Sequence, residues 1–195
     1  MGITSNTQVK TTTQAITLGA VMLALAFGLS FVKVYQLPYG GSITLLSMLP
    51  ILIYGLIVGV RWSFAVSFLY GAMQFFVGGE SPLAWGLNAG TLVVCILADY
   101  IFAFGVLGIT GFFRKSSYIK QLLGVAFAIF LRFVCHFISG VTIWKNFEQF
   151  DFFGNDVVNP YLYSIVYNGS YMLPEMVFTV LAVGVFLKIP VHAKA

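Results

Sequence analysis

Charge is what this sequence has least of. Only 8% of its 195 residues are Asp, Glu, Lys or Arg, where a soluble globular domain carries about 25%. So little charge cannot cover a water-facing surface, but it suits one that faces lipid. Cysteine and histidine are scarce too, at two each. Cys95 and Cys135 fall inside apolar runs and read as small buried hydrophobes, with no disulfide framework or metal spacing around them. His192 lies in the C-terminal tail, so His136 has no second histidine with which to build a metal site. There is no G-x-x-x-x-G-K-S/T, no H-E-x-x-H and no G-x-S-x-G, which excludes a P-loop ATPase, a zincin and an α/β-hydrolase. The expectation is a protein that is not an enzyme and holds no cofactor. Its basic residues are scattered rather than gathered in a stripe, which argues against a nucleic-acid partner. Met1 to Thr13 is polar and lacks a basic segment followed by a small-residue cleavage site, so no signal peptide is expected.

What is present is apolar: 59% of residues are hydrophobic and the mean hydropathy is +0.95. Crossing the hydrocarbon takes about 20 apolar residues per helix. Apolar runs fall at about 15–34, 45–60, 63–79, 84–109, 119–143 and 162–187. The expected fold is therefore an all-α membrane protein, a compact bundle of six transmembrane helices occupying 1–195 as one membrane domain. The third and fourth runs are split by Gly78-Gly79-Glu80-Ser81-Pro82, a turn composition, and the second and third only by Val60-Arg61-Trp62.

The positive charges then set the orientation. With the N-terminus inside, the inner segments hold Lys10, Arg61, Arg114, Lys115, Lys120, Lys188 and Lys194, and the outer ones only Lys33 and Lys145. That bias places both termini in the cytoplasm. Two outer connections are long enough to cap the bundle. One runs from Tyr35 to Thr44 with Pro38, Gly40 and Gly41. The other runs from Lys145 to Pro160 and carries Phe147, Phe150, Phe152 and Phe153. Gly40-Gly41-Ser42 opens no clear helix after a strand, so it reads as a flexible loop and not as a phosphate cradle.

Polar groups inside the membrane need a reason, because a charge at mid-bilayer costs at least about 2.5–3.5 kcal/mol. Asp99 falls in the fourth run, Arg132 and His136 in the fifth, and Glu175, after Pro174, in the sixth. Arg132 and His136 are four apart, so they share a helical face about 6 Å apart along the axis. Gly140 continues that row and leaves a slot, and Trp144 follows about 12 Å above His136. In the sixth run Asn168, Tyr171 and Glu175 share a face, with Tyr163 about 7 Å above Asn168. One reading is structural: an Asp99–Arg132 ion pair, with His136 and Asn168 as hydrogen bonds between helices. It leaves unexplained why an imidazole, an indole and several phenols gather at the same depth. A carboxylate among flat aromatic surfaces is the chemistry for holding an aromatic organic cation.

These residues also carry a resemblance. From about Ala20 to Leu187 the chain resembles the thiamine-specific S-components of energy-coupling factor transporters. Arg132-xxx-His136-Phe-Ile-Ser-Gly140-xxx-Trp144 is similar to that family's basic-xxx-His-Phe-Ile-x-Gly-xxx-Trp segment, and Tyr163-Ser-Ile-Val-Tyr-Asn168-Gly to its Tyr-x(4)-Asn-Gly. Asp99-Tyr100 resembles its acidic-Tyr pair, and Ala20 and Ala24 its small-xxx-small pattern in helix one. The resemblance implies a bacterial, multi-pass plasma-membrane subunit that binds thiamine. It implies that Asp99 accepts from the aminopyrimidine or balances charge, that His136 and Trp144 stack on the rings, and that Arg132, Tyr163 and Asn168 donate or accept hydrogen bonds. Tyr100 would line the same pocket. It implies as partners a transmembrane coupling subunit, docked on Ala20 and Ala24, and two cytosolic ATPase subunits. A member of that family carries Glu in place of Asp99, Lys in place of Arg132, and a Trp in the loop where this chain has Tyr35 and Tyr39. Trp85 is a candidate to supply the missing ring. The alternatives are a subunit for another vitamin or a thiamine precursor, a stand-alone proton-coupled carrier using Asp99, Arg132 and Glu175 as a relay, and a membrane assembly protein with no ligand.

Overall fold

The computed structural model describes residues 9, 11–37, 40–77, 86–144, 150–152, 155–157 and 159–189. Six helical rods carry them: α1 (Thr12–Ser30), α2 (Leu49–Val58), α3 (Val60–Val77), α4 (Ala89–Phe113), α5 (Tyr118–Thr142) and α6 (Pro160–Phe186). Of these, α1, α4, α5 and α6 are each long and apolar enough to cross a membrane.

Local chemistry sets the ends. A capping box at Thr11 and Gln14 starts α1. The first apolar run reaches residue 34, yet the helix stops at Ser30, whose hydroxyl donates to the Phe27 carbonyl at 2.6 Å. Beyond it, β-branched Val32 and Val34 belong to an extended segment. Strand β1 (Lys33–Gln36) pairs antiparallel with β2 (Ser42–Thr44), with a bulge between Lys33 and Tyr35. The glycine-containing segment read as a flexible loop is thus part of a hairpin.

The second run is also shorter than its apolar length suggests. Pro50 opens α2 and Gly59, at φ 104, ends it. The break before α3 is this one residue rather than Val60-Arg61-Trp62, because only glycine adopts that backbone at no cost. Ten residues rise about 15 Å, half a bilayer. Every residue from Pro50 to Val58 is buried, so α2 is the core against which α1, α3 and α4 pack.

The outer surface is apolar, with Ile16, Leu25, Phe76, Leu123, Leu181 and Val185 all more than half exposed. Inside lie Ser63, Ser67, Thr110, Gln121, Ser139 and Thr179. A greasy exterior over a partly polar interior is the arrangement that lipid demands. At the closed end of the bundle, backbone carbonyls find side-chain donors. Tyr54 donates to Ala15 at 2.9 Å, Arg114 to Val58 at 3.2 Å and Tyr118 to Gly184 at 3.3 Å. The opposite end carries the β1–β2 hairpin and a second one, β3 (Phe150–Phe152) with β4 (Asn155–Val157).

Candidate functional site

A cavity opens under the first hairpin and holds about 1040 Å³ of empty space, mouth included. Three helices and the hairpin supply most of its wall. Cys95, Asp99, Tyr100 and Phe104 come from α4. Arg132, His136, Gly140 and Trp144 come from α5 and its end, and Tyr163, Tyr167, Asn168, Tyr171 and Glu175 from α6. Lys33, Gly40, Gly41, Ser42 and Thr44 come from the hairpin, and Gln74 from α3. The seven residues singled out in the sequence, Asp99, Tyr100, Arg132, His136, Trp144, Tyr163 and Asn168, all line it.

Asp99 is the hub of one wall. It sits where α4 turns from α-helix into a π-helical stretch, Ile96–Phe102, a feature that concentrates at functional sites. His136 Nδ1 lies 2.9 Å from Oδ1. The Ser139 hydroxyl, Trp144 Nε1 at 3.3 Å and Cys95 Sγ at 3.6 Å all approach Oδ2. Donors converging on one carboxylate are the surroundings of an anion, which only accepts. His136 therefore donates from Nδ1. Its Nε2 is buried with no partner among the described residues.

Arg132 belongs to a different pair. The alternative of an Asp99–Arg132 bridge is not what forms: Arg132 Nη1 lies 3.5 Å from Glu175 Oε2, with side chains 10% and 4% exposed. Its guanidinium also covers the Phe104 ring at 4.2 Å, a cation–π contact. One helical turn on α5 separates the two basic residues, and each finds an acid on a different neighbour, Asp99 on α4 or Glu175 on α6.

Asn168 is tied into the frame. Its amide donates to the Ser164 carbonyl at 3.0 Å and to the His136 carbonyl at 3.3 Å, and its Oδ1 accepts from Tyr171 at 3.0 Å. It locks α5 to α6 beside Gly140. There a Cβ would run into the Ser164 side chain, so the expected slot is filled by helix contact. Tyr163 and Tyr167 stack at 5.6 Å along the wall. Tyr100 packs edge-on against Phe75 at 5.4 Å.

The hairpin is fastened to α6 at two points. Gly41 N–H donates to the Tyr167 hydroxyl at 3.1 Å, and Thr44 N–H to Glu175 Oε1 at 2.8 Å, joined there by the Thr44 hydroxyl. Tyr35 is 57% exposed and contributes nothing to the cavity. Tyr39 and Trp85 lie outside the described residues, as do Gly78 to Pro82 and most of the connection after Trp144. Ala20 and Ala24 are exposed on the outward face of α1, away from the cavity. Among the described residues no group of three His, Cys, Asp or Glu side chains is placed to hold a metal ion.

Against known proteins, the family model described as Thiamine transporter protein (Thia_YuaJ) matches residues 16–193. The chain belongs to this transporter family. Its members are transporter proteins, not enzymes, and a multi-pass place in the bacterial plasma membrane follows from the family and from the apolar helices. The chain is similar to the thiamine transporter ThiT of Bacillus subtilis, 29% identical over 177 residues, covering 83% of this chain and 81% of that one. It is 23% identical over 190 residues to ThiT of Lacticaseibacillus paracasei, covering 87% and 85%. Its fold is that of ThiT from Listeria monocytogenes, with a TM-score of 0.70 at 22% identity, over 89% of this chain and 93% of that one.

Sequence reasoning passed over Tyr167 and Gln74 and left Glu175 without a role. A signal for the first was there: Tyr163, Tyr167, Tyr171 and Glu175 repeat every four residues and so form one row along α6. Gln74 is a lone amide beside Phe75 and Phe76, and nothing in that stretch marks which way it faces.

Proposed function

We propose that this chain is the thiamine-binding subunit of an energy-coupling factor importer. The observation that carries the reading is the Asp99 carboxylate set in an aromatic-walled cavity, in a chain of the thiamine transporter family. Thiamine joins an aminopyrimidine to a cationic thiazolium, and both rings have flat faces. Asp99 accepts from the exocyclic amine or balances the cation, exchanging one of its internal donors for the ligand. His136 and Trp144 stack on the rings. Arg132, Tyr163 and Asn168 supply hydrogen bonds and Tyr100 closes the wall. The buried His136 Nε2 has no partner among the described residues, which supports a polar ligand group meeting it at the ring edge, because a buried polar atom without a partner is costly.

The chain carries no P-loop, so the energy for transport comes from elsewhere: a transmembrane coupling subunit docked on the small outward face of α1 at Ala20 and Ala24, and two cytosolic ATPases. The bundle acts as one membrane domain, its six helices lying within the bilayer with both termini in the cytoplasm and the hairpin end outside.

The test has two arms. Calorimetric titration of the purified protein should give saturable thiamine binding, with riboflavin and the hydroxymethyl-pyrimidine precursor binding at least about 100-fold more weakly. Tighter binding of the precursor or another vitamin would replace the substrate. Reconstituted vesicles should accumulate thiamine only with the coupling subunit, the ATPases and ATP. Proton-driven flux by this chain alone would replace the importer with a carrier.

A further inference from the structure

Glu175 is a cavity carboxylate to which the binding roles above assign no part. It is 4% exposed, on α6 just after Pro174, and it meets two elements at once. Oε2 faces Arg132, and Oε1 accepts from the backbone and hydroxyl of Thr44. Resting on the thiamine reading, we infer that Glu175 is a specificity residue: it cancels the charge of Arg132, so that the cavity presents Asp99 as its uncompensated anion and selects for cationic ligands.

The argument is one of charge placement. Glu175 and Arg132 are buried in the cavity as a carboxylate and a guanidinium, and the half-buried Asp99 carboxylate lies against the imidazole of His136. Lys33 also lines it, but from the half-exposed hairpin, where water screens it. Arg132 lies one helical turn, about 6 Å of rise, from His136, and His136 is bonded to Asp99. At that range in a partly buried site, an unbalanced guanidinium changes the affinity for a charged ligand by about tenfold or more. Without Glu175 it would repel a thiazolium and draw on Asp99 in its place. With Glu175 it is left as a donor whose Nε is buried and unpartnered among the described residues. Arg132 then offers a ligand a hydrogen bond without net repulsion.

Glu175 also fastens the hairpin through Thr44, so a plain loss of affinity would not separate the two roles. The readout is instead the ratio of affinities for thiamine and for its neutral isostere, in which a thiophene replaces the thiazolium. Both ligands share the pyrimidine and the shape, and they differ in charge. Glu175→Gln keeps a carbonyl oxygen for Thr44 and should lower the ratio by about tenfold or more. Thr44→Val removes the hydroxyl bond to Glu175, loosens the hairpin and keeps the charge, so it should weaken both ligands alike. Arg132→Gln leaves Glu175 as an extra anion and should raise the ratio. Arg132→Gln with Glu175→Gln should return it to the wild-type value, as expected of a coupled pair. The opposite sign expected for Arg132→Gln keeps the test decisive even where Glu175→Gln does not fold, as judged by gel filtration. An unchanged ratio in both single variants, or a double variant that stays at the Glu175→Gln value, overturns the inference while leaving thiamine binding in place. A wild-type protein that binds neither ligand overturns the substrate reading itself.

Discussion

The two ends of the bundle are built on opposite principles. At the closed end α2, α3 and α4 meet through small residues. A Cβ on Gly111 would come 2.6 Å from the Val60 Cα, and the buried Thr110 hydroxyl turns back to its own helix, onto the Leu107 carbonyl at 2.9 Å. At the hairpin end α4, α5 and α6 surround a cavity with charged and aromatic side chains. Lipid gives helices no hydrophobic reason to associate, so close packing supplies the stability, and intramembrane charge is retained where it does work. The comparison teaches that substitutions at one end should separate folding from binding, and at the other end should not.

The largest effect is expected at the carboxylate hub. Asp99→Asn replaces an acceptor that meets four donors with a group that is half donor. Thiamine affinity should fall by about 2–5 kcal/mol, read by calorimetry. An Asp99→Asn protein that binds like wild type would erase the contrast between the ends. Next comes Gly111→Ala at the closed end. Its new methyl has only backbone to push against, so thermal unfolding in detergent should show a loss of about 1–3 kcal/mol. The folded fraction should keep its thiamine affinity, and a matching loss of affinity would show that the two ends are coupled.

A smaller change sharpens the hairpin's part. Tyr167→Phe removes the hydroxyl that holds Gly41 N–H and should cost about 1 kcal/mol. Stopped-flow dissociation should show it as release about fivefold faster. The smallest effect on binding belongs to α1. Ala24→Leu enlarges an exposed side chain, and both stability and affinity should stay within about 0.5 kcal/mol. Uptake by the assembled importer should nevertheless drop, and full uptake would remove Ala24 from the docking face.

Much of this was legible in the sequence, and the limits have physical causes. Hydropathy located all six helices, because lipid enforces long apolar runs. It overran α1 by the stretch containing Val32 and Val34, which are as apolar in a strand as in a helix. It overran α2 because Leu45, Leu46 and Met48 are apolar without being helical. Spacing on single helices brought Arg132 with His136, and Tyr163 with Asn168. It could not pair Arg132 with Glu175 in place of Asp99. Both acids are within reach, and the choice depends on how α4 and α6 sit against α5, which no one-dimensional pattern records. The π-helical stretch around Asp99 was equally hidden, since Leu97 to Phe102 reads as ordinary helix.

The central claim is that the hairpin end holds thiamine at Asp99 and Trp144. The most direct test is a thiamine titration of the detergent-purified protein, followed by quenching of its tryptophan fluorescence, with Asp99→Asn and Trp144→Phe alongside. Saturable quenching with a Kd below about 1 μM that fades in Asp99→Asn, and that loses most of its amplitude in Trp144→Phe, is the predicted result. A folded protein showing no saturation up to about 1 mM thiamine, a binding free energy of only about 4 kcal/mol, would contradict it.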